Sequence, residues 1–229
     1  MNLAIDIGNT RCKWGLFEKR RLIRFGTGLD FVDSLSLQTG THIDKALGSC
    51  VGNRPALSVE WLNADFYNCL PISIGYRTPQ SLGADRVAAA CGAWRLSEGQ
   101  ACVVVDAGTC ITVDYVDEKG CYKGGAIMPG IRMQLESLHE KTHLLPIVDF
   151  ERLDDFTGCC GSNTEESMIA GTINATRYAI SSMAEHYRQH CRQTRIITTG
   201  GDGQLMGIGI FEPHLVLIGL NEIMEFNKQ

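Results

Sequence analysis

The chain opens on a run of apolar residues that stops at an acid, and the same phrase returns near its middle. Leu3-Ala-Ile-Asp6-Ile-Gly8-Asn9-Thr10 is echoed by Val103-Val-Val-Asp106-Ala-Gly108-Thr109. Each copy predicts a buried strand ending at an aspartate, a glycine that lets the backbone turn close to a ligand, and a threonine hydroxyl just beyond. An aspartate so placed can hold a cation that itself holds phosphate oxygens, and the N–H groups of a glycine turn line a concavity suited to anions. Both copies are followed by a returning strand, at 12–17 with a turn at 18–21 and at 110–116 with a turn at 117–120, so each reads as a hairpin. Taken singly, either copy is matched by a turn in which Asp and Gly only shape the backbone. Their repetition, hairpin included, predicts two phosphate-handling lobes able to clamp a nucleotide.

The pattern elsewhere alternates strands and helices. Residues 1–27 read as a β-meander, 29–49 as weakly patterned with a short strand at 46–51, and 57–70 as helical with Glu60 and Asp65 outward. After an extended piece at 71–75, the alanine-rich stretch 84–96 predicts a helix with Gly83-Ala84-Asp85-Arg86 at its start, where helix ends attract anions. The second lobe runs through Gly124-Gly125-Ala-Ile-Met-Pro129-Gly130 into an amphipathic helix at 131–139. Ser162-Asn-Thr-Glu165 fits a capping box opening a long helix to about His190, with Met168, Ile169, Ile173, Ile180 and Met183 as its apolar positions. A strand at 195–199 leads into Gly200-Gly201-Asp202-Gly203, and 214–219 and 220–226 end the chain as strand and helix. Without a Pro- or Ser-rich linker, the expected division is 1–98 and 99–229, sharing a tight hinge.

Composition narrows the partners. At 229 residues, 44% hydrophobic and 21% charged, the chain has ample length for a core. A net charge of −5 argues against a protein that wraps nucleic acid, because neutralising phosphates needs clustered Lys and Arg. No basic N-terminal region precedes a long apolar segment and nothing approaches the ~20 apolar residues of a membrane span, so the expected address is cytoplasmic, with no membrane partner. The ten cysteines are scattered without a C-x-x-C, and Cys91, Cys102 and Cys110 read as small buried hydrophobes, with the adjacent Cys159-Cys160 read as a loop pair.

Asp6-Ile-Gly-Asn-Thr10, Gly83-Ala-Asp-Arg86, Asp106-Ala-Gly-Thr109 and Thr199-Gly-Gly201, in this order and with Gly-Gly-x-x-x-Pro-Gly at 124–130, give a chain that resembles type III pantothenate kinases over nearly its whole length. These belong to the acetate and sugar kinase, Hsp70 and actin superfamily. The resemblance implies an α/β fold of two ribonuclease-H-like (actin-like ATPase) lobes with mixed sheets flanked by helices. It also implies ATP-dependent phosphorylation of pantothenate to 4'-phosphopantothenate, the first step of coenzyme A synthesis, by a homodimer using Mg2+ and a monovalent cation (K+ or NH4+). The absence of G-x-x-x-x-G-K-[ST] shows independently that an ATP site here is not a P-loop.

Carried over by position, Asp6, Ile7, Gly8, Asn9, Thr10, Arg11, Cys12 and Lys13 form the first ATP phosphate loop, with Asp6 near the magnesium directly or through water. Lys13 equally fits a surface lysine of the hairpin. Asp106 matches the residue that holds the monovalent cation and Thr109 a phosphate contact. Asp85 matches the proton acceptor, with Tyr76, Gly83, Ala84, Asp85 and Arg86 around pantothenate and Thr164 reaching it, in one reading from the neighbouring subunit. Without the resemblance, Asp85 reads as a first-turn acid stabilised by the helix dipole, Thr109 as a hydroxyl satisfying its own turn, and Thr164 as part of a helix cap. Arg86 suits either a carboxylate or the migrating phosphoryl group. Thr199-Gly200-Gly201 resembles the adenosine-side loop. Three rivals remain: another small-molecule kinase of the superfamily, a non-catalytic regulator resembling a Bvg accessory factor, and a nuclease using Asp6, Asp106 and Asp114.

Overall fold

The computed structural model describes residues 1–28, 42–153 and 158–228. Part of the weakly patterned stretch, 29–41, therefore lies outside the described residues. The strands are β1 (Asn2–Ile7), β2 (Cys12–Glu18), β3 (Arg21–Thr27), β4 (Lys45–Cys50), β5 (Glu60–Trp61), β6 (Ser73–Ile74), β7 (Cys102–Ala107), β8 (Cys110–Val116), β9 (Cys121–Pro129), β10 (Arg195–Thr199) and β11 (Ile210–Phe211). The α-helices are α1 (Ala84–Leu96), α2 (Ile131–Glu140), α3 (Thr164–His190) and α4 (Leu215–Phe226). Two compact units interleave along the chain: residues 1–102, 114–124 and 214–229 form one, and 103–113 and 125–213 the other.

In the first unit the sheet order is β3-β2-β1-β4-β5. Strand β1 pairs antiparallel with β2 and parallel with β4, a register that sets Asp6 opposite Lys13 on one side and Ser49 on the other. Because side chains alternate across a sheet, these three polar residues share one face while Leu3, Ile5, Trp14 and Leu16 pack as a core on the other. Helix α4 packs on α1 at a glycine crossing: a Cβ on Gly219 would lie 1.7 Å from the Ala88 carbonyl oxygen. Polar contacts fasten α4 to the meander: the exposed Arg20 pairs with the buried Glu222, and Asn2 donates to Asn221 in a fully buried bond.

A six-stranded sheet runs β11-β10-β7-β8-β9-β6. Within the second unit α2 packs on α3, and β10 pairs in parallel with β11. Among the described residues no helix is long and apolar enough to cross a membrane.

Four local expectations are corrected. Residues 57–70 hold the short strand β5 and a 3-10 helix, Ala64–Cys69, because Asn63 accepts from the Asp65 N–H and starts a turn midway through the segment. Residues 214–219 join the last helix rather than forming a strand, since that apolar run is buried on nearly all sides and carries no period for a sequence reading to detect. The cap of α3 is Asn163, which accepts from the Glu166 N–H while Glu166 accepts from the Ser162 N–H, one residue along from the expected box. Cys91 and Cys102 are buried, but Cys110 is exposed.

Candidate active site

The first unit gathers Asp6, Ser49, Asp85, Arg86, Asp114, Tyr76 and Tyr122. Asp6 ends the central strand β1, and Ser49 Oγ donates to its Oδ1 at 2.6 Å. Burial pushes the Asp6 carboxyl up to about 6, with the Asp85 charge adding to the rise and the Ser49 hydroxyl and Lys13 opposing it. The loop beyond turns back through Gly8 N–H to the Arg11 carbonyl, 3.0 Å. Asn9, Thr10 and Arg11 are exposed there, while Ile7, Gly8, Cys12 and Lys13 are half-buried.

Helix α1 starts at Gly83, and its first turn carries Asp85. The carboxylate folds back over the helix end: Oδ1 accepts the Arg86 N–H at 2.9 Å, and a Cβ on Gly83 would meet that same oxygen at 2.5 Å. A side chain at 83 would therefore displace the acid. Burial raises the Asp85 carboxyl, helped by Asp114 and opposed by the backbone N–H groups and the Arg86 charge. Two carboxyls, Asp6 and Asp85, thus both hold protons more tightly than an exposed acid, the kind of perturbation that gathers at functional sites.

Arg86 points at Asp114. Its Nε donates to Oδ2 at 3.0 Å and its Nη2 to Oδ1, while Tyr122 Oη donates to Oδ1 at 2.7 Å. The Tyr76 ring meets Tyr122 edge-on, centroids 6.1 Å apart. Ser49, Asp114 and Tyr122 were not singled out for this chemistry from sequence; a lone aspartate inside the apolar run of β8 was the available signal, since a buried acid demands a partner.

The second unit holds the other motifs. Asp106 ends β7, and Gly108 N–H closes the turn on the Cys110 carbonyl at 3.0 Å, leaving Thr109 exposed. Two glycines brace this turn. Gly200, with φ of 92°, would place a Cβ 2.6 Å from Asp106 Oδ1, and Gly130 would place one 2.3 Å from the Gly108 carbonyl oxygen. The structure thus brings Thr199-Gly200-Gly201 and Pro129-Gly130 against the Asp106 turn, while Thr164 stands exposed at the first position of α3.

A strand-end acid with a glycine turn in each unit, and no P-loop, is the arrangement of the actin-like ATPase and sugar kinase class. Solved structures agree in fold: a ROK hexokinase from Thermus thermophilus superposes with a TM-score of 0.54 at 12% identity over 97% of both chains. The activator of the 2-hydroxyisocaproyl-CoA dehydratase from Clostridium difficile gives 0.61 at 11% identity, covering 99% of this chain and 94% of that one. Within that class the chain belongs to the type III pantothenate kinase family, whose family model matches residues 39–186. Type III pantothenate kinases from Christiangramia forsetii and Bacteroides fragilis are 34% and 35% identical over 248 residues, covering 100% of this chain and 99% of each relative.

Proposed function

We propose that this protein transfers the γ-phosphoryl group of ATP to the hydroxyl of pantothenate, giving 4'-phosphopantothenate for coenzyme A synthesis. The observation that carries this reading is the Asp85 carboxylate, folded over the start of α1 next to the Asp6 strand end with its proton affinity raised by burial. Phosphoryl transfer runs through a loose transition state, so positioning and charge neutralisation dominate and the base acts late. Asp85 takes the hydroxyl proton as the new P–O bond forms, and Tyr76, Gly83, Ala84 and Arg86 surround the acceptor. The 6–13 loop and Thr109 hold the phosphates.

The donor sets fit the cations the family implies. Asp6 is a hard, largely desolvated carboxylate that is mostly ionised at neutral pH even with its value raised to about 6, so it would hold Mg2+ directly or through water. Asp106, beside glycines that leave backbone in reach, would hold K+ or NH4+. Bound there, the ions neutralise phosphate charge. In this reading the enzyme works as a cytoplasmic homodimer with Thr164 at the pantothenate pocket, without nucleic-acid or membrane partners.

A coupled assay with ATP, magnesium and pantothenate tests the reading: ADP release that requires pantothenate is expected. Release with acetate or a sugar instead would move the chain to another kinase reaction, and no turnover from folded protein would favour the regulator.

A further inference from the structure

A buried Arg–Asp pair is weak evidence for stability, because desolvating both charges costs much of what their attraction returns. The Arg86–Asp114 pair is such a case: the Arg86 side chain is 10% and the Asp114 side chain 2% exposed. Asp114 lies in a strand whose neighbours Val113, Tyr115 and Val116 are all buried, where an apolar residue would be the cheaper occupant. The same carboxylate also accepts the hydroxyl of Tyr122, itself fully buried. Arg86 Nη2 and the Tyr122 hydroxyl therefore converge on one oxygen, Asp114 Oδ1, and Tyr76 packs against Tyr122.

We propose that Asp114, assisted by Tyr122, is a positioning residue that makes Arg86 a fixed hydrogen-bond donor to the carboxylate of the acceptor substrate rather than a free cation for the phosphoryl group. The Nε–Nη2 edge of the guanidinium is occupied by Asp114, and among the described residues Nη1 has no hydrogen-bond partner. An arginine held this way has its direction fixed and its charge offset by a buried anion. Neutralising charge spread over a migrating phosphoryl group calls for net positive charge, which the pair lacks; reading a planar carboxylate calls for direction, which it has. The proposal rests on the pantothenate kinase reading.

The test compares pantothenate with pantothenol, in which a primary alcohol replaces the carboxylate, as acceptors for wild type, Asp114→Asn and Tyr122→Phe. Wild type should prefer the acid. Asp114→Asn should lower kcat/KM for pantothenate by about 10–100-fold, the loss expected of one charged hydrogen bond, with pantothenol changed by less than about threefold and the KM for ATP unmoved. Tyr122→Phe, which keeps the ion pair, should move the same ratio in the same direction by about 3–10-fold, and decides the matter if Asp114→Asn does not fold. Equal losses for both acceptors, an unchanged ratio, or a wild type indifferent to the carboxylate would overturn the proposal. A wild type that releases no ADP with either acceptor would instead overturn the kinase reading itself.

Discussion

The two acid-ended strands carry nearly the same phrase and are set in different surroundings. The first turn closes from Gly8 to Arg11, and a Cβ on Gly8 would meet only that carbonyl oxygen, at 3.3 Å. The second closes one residue sooner, from Gly108 to Cys110, and is gripped by Gly130 and Gly200, neither of which has space for a side chain. Asp6 is tied sideways to Ser49, whereas Asp106 is overlaid by a neighbouring loop. Repetition in the sequence thus sets the strand, the acid and the turn, while the packing around each turn decides how rigid it is before a ligand arrives. On the proposed reading, the braced turn is a standing seat for a monovalent cation, and the freer one shapes itself around phosphates and magnesium delivered with ATP.

The largest expected effect lies beside the first turn. Asp85→Asn should fold and bind ATP but lose about 10²–10⁴-fold in kcat, the range of a general base; wild-type turnover in that variant would remove Asp85 from the mechanism. Next comes the contrast between the turns. Gly200→Ala should cost about 1–3 kcal/mol from overlap alone, with backbone strain at its positive φ adding to that, whereas Gly8→Ala should stay within about 1 kcal/mol. Equal losses in urea unfolding would erase the distinction between braced and free turns.

A third effect follows from the raised Asp6 carboxyl. A carboxyl whose folded value is about 6 against an ordinary 3.8 favours the fold while protonated and weighs against it as pH rises from 4 through 6. Asp6→Asn removes the charge and keeps an acceptor for Ser49, so without metal or nucleotide it should be more stable than wild type above pH 7 by about 1–3 kcal/mol, with the gap closing toward pH 4. Thermal melts across that range check it, and a variant less stable at pH 8 would contradict burial as the cause. The smallest effect is Ser49→Ala: losing the hydroxyl that lowers the Asp6 carboxyl should move the acid limb of activity upward by up to about one pH unit.

Much of this was legible in the sequence, for identifiable reasons. The meander, β7, β8, α1 and the start of α2 follow from strand alternation, alanine content and glycine punctuation that agree with the tertiary environment. The second half of the last helix is legible, but its first half reads as a strand because Leu215, Val216 and Leu217 are all buried and period gives no signal there; the close packing at Gly219 is a tertiary fact. The motif order singles out Asp6, Asp85, Asp106 and Thr109 as candidates, but not the company they keep. Ser49 reaches Asp6 only through the parallel β1–β4 register, and Asp114 reaches Arg86 only when β8 lies beside the start of α1. Such partners are set by long-range pairing, which local pattern does not encode.

The most direct test of the division between the turns is a potassium titration, against a sodium background, of pantothenate-dependent ADP release by wild type, Asp106→Asn and Asp6→Asn at saturating magnesium. The account predicts a wild type that rises with potassium, an Asp106→Asn variant that stays slow and flat, and an Asp6→Asn variant that is slowed at every potassium concentration. A potassium response that survives intact in Asp106→Asn would contradict it.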